Sequence, residues 1–384
     1  MSYDLQVFSR SGLTPAVVER VAREQGLEWE MSGRTWEASA PGDGVAFGGD
    51  VPVPMEQDDV PEELYGIVRE PRWFMQIVVE GSGGPSVRAA TRMVRELARR
   101  TGAAVYDQQR GRVLVDGKLK RPARVEREYE WEVAFSWYAL VPSEDSRPPL
   151  PDQWLQLSAR HLPEVAPVRF GDYEPLRYRL DRDGIEPLRT LWNQEDLGAD
   201  ALHLRSVYFD LASPARGGGW SWSHPWDAPR PVIENAWMEV DIDGFSDPYW
   251  ARAARGWFVD IAELRGCFHA LVQVTPPQFF PRTLLPRSRW YGLHPRPQWW
   301  NWYGGPYAEL VAGRLPEAAY SRTGSGLFVC SELPPKVFAE SQPPPDPLAD
   351  LRASLIEPEV PLSHNPNLLP ARIIPSDLLA PAGR

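Results

Sequence analysis

Lysine is nearly missing from this chain: three of 384 residues, at positions 118, 120 and 336. Almost all positive charge therefore sits on arginine. Cysteine is almost as scarce, at two residues, Cys267 and Cys330. That is too few for a disulfide framework or a cysteine zinc site, and both read as small buried thiols. The six histidines (161, 203, 224, 269, 294, 364) are scattered, none at helical ligand spacing with another, so no metal centre and no cofactor is expected. Long apolar runs are lacking too, and nothing approaches the ~18 residues that suggest a membrane span. The start, Met1-Ser2-Tyr3-Asp4-Leu5-Gln6-Val7, has neither a basic nor an apolar leader region, so a cytoplasmic protein is expected. No Gly-Lys-Ser/Thr phosphate loop occurs, and Gly-x-Ser-x-Gly does not fit around Ser136, Ser206 or Ser331.

Acidic residues outnumber basic ones by 52 to 41, a net charge of −11. That disfavours a nucleic-acid binder and suits a basic protein partner. The charge is uneven. Residues 1–84 hold 6 basic and 15 acidic side chains, whereas residues 85–128 hold 12 and 5. Arg88, Arg92, Arg95 and Arg99 recur on one helical face. Such a row reads as a solvated helix face, as an intramolecular match to the acidic residues 1–84, or as a surface for phosphates or an acidic protein.

Tyr3–Ser9 alternates as a strand. Thr14 and Pro15 open a helix that Gly26 ends. Leu27–Met31 and Arg34–Ala38 form a hairpin about Ser32-Gly33, and residues 40–64 make an acidic, loop-rich excursion. Trp73–Glu80 is a strand, Ser86–Arg100 an amphipathic helix, and Ala103–Tyr106 a final strand. This order fits a ferredoxin-like α+β sandwich. After a charged link near 116–129, a second unit of related plan runs from Trp131–Val141 to Phe268–Val274. Its clearest helix follows Asp247-Pro248, and a Gly- and Trp-rich loop separates strands 202–211 and 233–242. The expected class is thus α+β, with two antiparallel-sheet units (1–116 and 129–275) and an aromatic, Pro-rich module (276–384). The last stretch, 334–384, carries 12 prolines, which suits an extended arm.

Three local motifs invite a chemical reading. Gly81-Ser82-Gly83-Gly84-Pro85-Ser86 lies where a dinucleotide fingerprint would, but Ser86 and Pro85 break the pattern. Asp241, Asp243 and Asp247 could hold a cation, although Asp247 reads as a helix cap. Arg169–Glu174 groups an arginine with two acids and reads as a turn with an internal salt bridge.

The aromatic cluster calls for the most explanation. Ten of 17 tryptophans lie between 220 and 302. They can form a small core, or leave a subset exposed as a recognition surface. The candidate contacts are Trp220, Trp222, Trp226, Trp299, Trp300, Trp302 and Tyr303.

The Trp-led strand, the long helix and Thr101-Gly102-Ala103-Ala104-Val105-Tyr106-Asp107-Gln108-Gln109 together resemble immunity proteins of bacterial polymorphic toxins. Trp299–Tyr307 (Trp-Trp-Asn-Trp-Tyr-Gly-Gly-Pro-Tyr) is similar to a motif of large bacterial proteins carrying such domains. The resemblance implies non-catalytic occlusion of a protein partner, a toxin; the acidic charge and the lack of long apolar runs lead to no expectation of a nucleic-acid or membrane partner. Two other classes stay open: an enzyme with an aromatic-lined pocket, and a structural component of a larger assembly.

Overall fold

A computed structural model describes residues 3–40, 44–79, 84–123, 131–141, 149–193, 204–223, 232–275, 293–294, 296–341 and 346–354. The chain divides into two compact units, Met1–Arg127 with Pro175–Arg177, and Glu128–Glu174 with Tyr178–Arg384. Among the described residues no helix is long and apolar enough to cross a membrane.

The first unit contains β1 (Tyr3–Ser9), α1 (Pro15–Glu24), β2 (Glu28–Ser32), β3 (Thr35–Ala40), β4 (Val45–Asp50), β5 (Val53–Pro54), β6 (Trp73–Val79), α2 (Gly84–Thr101), β7 (Ala104–Asp107), β8 (Arg112–Val115) and β9 (Lys118–Lys120). Its antiparallel sheet runs β2-β3-β4-β6-β1-β7-β8-β9, with β5 beside β6. The inner order β4-β6-β1-β7 is that of the ferredoxin-like split βαβ. Thr14 caps α1 through its side chain, with Pro15 in the first turn. Leu5, Val7, Met75, Ile77 and Val105 then meet Val18, Val21, Met93, Val94 and Leu97 of the helices. The acidic excursion contributes β4 and β5, and its Met55, Val60 and Leu64, with Val68 just beyond it, cover the other face over Phe8 and Val113. Lys118–Lys120 pairs with β8, so the sheet runs on past residue 116.

The second unit contains β10 (Glu132–Val141), α3 (Leu150–His161), β11 (Arg169–Gly171), β12 (Tyr178–Arg179), α4 (Leu180–Asp183), α5 (Glu186–Asn193), β13 (Leu204–Asp210), β14 (Ala215–Ser223), β15 (Val232–Asp241), α6 (Pro248–Leu264), β16 (Cys267–Thr275), β17 (Trp300–Gly304), α7 (Gly305–Ala312), β18 (Ser321–Arg322), β19 (Gly326–Cys330), α8 (Pro335–Glu340) and α9 (Ala349–Ser354). Its sheet runs β12-β11-β13-β14-β15-β10-β16-β17-β19-β18. The inner order β14-β15-β10-β16, with α3 and α6 as the crossovers, repeats the plan of the first unit.

Two expectations need correction here. Trp300–Gly304 pairs with β16 and β19, so this aromatic segment is part of the second sheet and not of a separate module. The Gly-Trp stretch is strand β14, not a loop. A Cβ on Gly218 would sit 2.3 Å from Phe209 Cε2, and one on Gly219 would sit 2.7 Å from the Trp237 ring. The glycines therefore make room for rings of the neighbouring strands.

One buried ion pair ties three elements of this unit together. Arg265, just past α6, donates from Nε to Glu234 on β15 at 2.9 Å and from a second nitrogen to the other carboxylate oxygen. It also donates to Gln153 of α3 at 2.7 Å. All three residues are at most 3% exposed. Removing one partner leaves a buried charge, so Arg265→Met should lower stability by about 3–5 kcal/mol. Adding Glu234→Leu should recover most of that loss. Urea unfolding of both variants checks this. By the same technique, Gly218→Ala should cost about 1–3 kcal/mol through overpacking against Phe209.

Candidate functional site: an arginine-lined groove

Five of the seven aromatic residues expected at a surface are interior. Trp220 is fully buried, with its ring 5.6 Å from that of Trp154 and 5.0 Å from that of Phe209. Trp299 stacks on Trp300 at 4.4 Å, and its indole N–H donates to the Leu333 carbonyl at 2.9 Å. Trp300 packs against Phe135, Phe258 and Phe328. Trp302 and Tyr303 are 0% exposed, on opposite faces of β17. These five side chains hold the second unit together and offer no docking surface. Trp222 belongs to β14, opposite Arg205 and Glu234, but its side chain lies outside the described residues, as does all of Trp226. The misreading has a physical cause. Three indoles near three glycines look like a loop until Phe209 and Trp237 of the neighbouring strands are seen to lie over Gly218 and Gly219.

The other candidate motifs also have structural roles. Asp247 caps α6, accepting from the Tyr249 N–H at 2.8 Å. Asp241 is ion-paired to Arg216. Ser86 accepts from the Ala46 N–H at 3.1 Å, fastening α2 to β4; Gly81 to Gly83 lie outside the described residues. Arg169 is buried in β11, opposite Arg179 and Asp210. His161 bonds Asp260 at 2.8 Å, and Gly256 leaves room for its ring where α3 meets α6. Among the described residues no cluster of His, Cys, Asp and Glu could hold a metal ion. Burial pushes the Cys330 thiol up to about 11, which suppresses the reactive thiolate at neutral pH.

The chemistry left on the surface is on α2. Ala90, Met93, Val94 and Leu97 turn one side of this helix to the sheet. The 3.6-residue repeat then carries Arg88, Arg92, Arg95 and Arg99 to the exposed side. These arginines line an open groove of about 750 Å³, with Val87 and Thr91 between them. Arg110, from the turn after β7, lines it too. That turn is held in place. Tyr3 donates its hydroxyl to Asp107 at 2.5 Å, Asp107 accepts the Arg110 N–H at 3.1 Å, and Gln109 accepts the Asp4 N–H at 2.9 Å. Burial, then the bond to Asp107, pushes the Tyr3 phenol up to about 12.

The two ends of the helix differ in charge balance. At the C-terminal end Glu96 accepts from Arg99 at 2.6 Å and from Arg100 at 2.6 Å, and Arg100 also reaches Glu24. Hydrogen bonds from Arg99 and then Arg100 hold the Glu96 carboxyl at about 2, below its ordinary 4.5. Toward the N-terminal end, Arg88, Arg92 and Arg95 carry no ion pair among the described residues. They form a run of unneutralised guanidinium groups over two turns of rigid helix.

No family model and no curated protein sequence matches the chain. Among solved structures, the chain is similar to the Pseudomonas aeruginosa T6SS protein PA0821, with 12% identity and a TM-score of 0.33 over 52% of this chain and 68% of that one. It is also similar to the di-domain ARO/CYC StfQ from the steffimycin biosynthetic pathway, with 11% identity and a TM-score of 0.18 over 69% and 96%. Neither likeness is close enough to bear on what the groove does.

The Glu96 network predicts a pH effect. Its carboxyl ionises more readily when folded, so it supports the fold above about pH 4.5, and that support fades as pH falls toward about 2. Glu96→Gln should flatten stability over this window, and added salt should shrink the difference. Urea midpoints at pH 3 and pH 6, with and without salt, measure it.

Proposed function

We propose that this chain is a non-catalytic protein-binding protein of the immunity or antitoxin type, which docks an acidic segment of its partner in the α2 groove. The observation that carries the reading is the row Arg88, Arg92 and Arg95, without an ion pair among the described residues, in an open groove. Arginine holds carboxylates by bidentate hydrogen bonds, which fix orientation as well as adding attraction. The row stands on a helix whose other face is locked into a core, so little ordering is needed on binding. Val87 and Thr91 offer short non-charged contacts between the guanidinium groups.

The net charge of −11 pointed instead to a basic partner. Local complementarity governs the docked state, and the groove is basic, so the partner segment that fits it is acidic. The buried indoles have no part in this contact.

The test begins with co-expression of the chain and the product of its neighbouring gene, followed by size-exclusion chromatography. The triple variant R88E/R92E/R95E should weaken a complex about 100-fold or more, because like charges set across an interface cost several kcal/mol. Circular dichroism should be unchanged, as all three side chains are exposed. The isolated protein should bind a poly-glutamate peptide in a salt-sensitive way and ignore duplex DNA. Binding of DNA with no affinity for the peptide would overturn the reading. So would a complex indifferent to the three substitutions.

A further inference from the structure

Among the described residues the first sheet ends in two unpaired edge strands of opposite charge. β2 closes one side and β9 the other. Along β2, Glu28 and Glu30 are exposed, and along β9 so are Lys118 and Lys120. These are two of the chain's three lysines. Register fixes which face each residue takes. Trp29 pairs with Ala38 and Met31 with Trp36, both on the side covered by α1 and α2. Leu119 pairs with Leu114 on that same side. Glu28, Glu30, Lys118 and Lys120 alternate to the opposite side. Each edge is thus apolar on the helix side and charged on the other. Met31 is 55% exposed and Leu119 61%, both among the large apolar side chains most open to solvent.

Backbone polarity matches as well. Two-residue turns join each edge strand to its inner neighbour. Gly33 (φ 59°) lies in one, Asp116 (φ 49°) and Gly117 (φ 71°) in the other. In such hairpins the closing pair exchanges both hydrogen bonds, and the pattern then alternates. The closing pairs are Ser32 with Thr35 and Val115 with Lys118. Trp29 and Met31 on β2, and Leu119 on β9, therefore aim their N–H and C=O groups outward. An antiparallel match that sets Leu119 opposite Trp29 pairs hydrogen-bonding positions. The same register places Lys118 opposite Glu30 and Lys120 opposite Glu28.

We propose that β9 of one copy of this chain pairs with β2 of a second copy, continuing the sheet with helices on the same side. Strand directions permit it. Neighbours alternate along the whole path, so the eight-strand order leaves β2 and β9 antiparallel. The two edges lie at opposite ends of that path, so the complement must come from another copy. Pairing of like edges is disfavoured, because β2 on β2 sets Glu against Glu and β9 on β9 sets Lys against Lys. The contact is head-to-tail, so it forms a ring or a chain of copies. It uses no residue of the α2 groove.

Sedimentation velocity of the full chain tests the proposal. Mass should rise with protein concentration and fall on adding salt. E28K/E30K and K118E/K120E should each lose the association, since one has two basic edges and the other two acidic ones. Their equimolar mixture should regain it. Leu119→Pro deletes an outward N–H without changing charge and should also abolish it, whereas R88E/R92E/R95E should leave it intact. A monomer at every concentration, association that survives either charge reversal or Leu119→Pro, or a mixture that fails to assemble would each overturn the proposal.

Discussion

The second unit depends on aromatic rings lying against backbone that carries no side chain. Phe209 and Trp237 cover Gly218 and Gly219 from opposite faces of β14. Trp220, the next residue, can then enter the cluster of Trp154, Trp257 and Trp137, whose rings meet edge to face at 4.6 to 5.9 Å. Edge-to-face geometry suits the ring quadrupoles and adds to what burial alone contributes. Several indole N–H groups are matched to main-chain carbonyls, Trp137 to Phe258 and Trp154 to Val165. The sheet can carry so many large rings only because the strand beside them is partly glycine.

The same constraint explains what could be read from the sequence and what could not. Period and capping signals placed β1, α1, β6, α2 and the start of α6 to within a few residues, because each follows a local rule of side-chain spacing or helix termination. The related plan of the two units was also legible, since it rests on the order of elements. The fate of the tryptophans was not. Burial of Trp220 is decided by Phe209 of the neighbouring strand and by Trp154 and Trp192 from helices far off in the sequence, and burial of Trp300 by Phe135 and Phe328 from distant segments. The Lys- and Arg-rich surroundings of β9 suggest a linker, yet charged residues are what a short edge strand carries.

The groove was half legible. A four-residue and three-residue rhythm of arginines announces a basic helix face without saying which cations are neutralised. The answer depends on Glu24, which comes from α1 and meets Arg100 across the helix pair. The sequence offers a match to the acidic residues 1–84 but does not single out Glu24 as the partner. The geometry divides one charged row into a quenched end and an open end, and only the open end has attraction to spare for a partner.

The strand order of the second unit also bears on its birth. β10 lies at the middle of its sheet, but Asn235, which bonds the Trp137 carbonyl, is 98 residues further along, and Phe258, whose carbonyl takes the Trp137 indole, is 121 residues further. Loops of that span close slowly. On the ribosome, this apolar strand emerges long before either flanking strand exists, so the nascent chain has a prolonged interval in which chaperones compete with aggregation for its exposed edges.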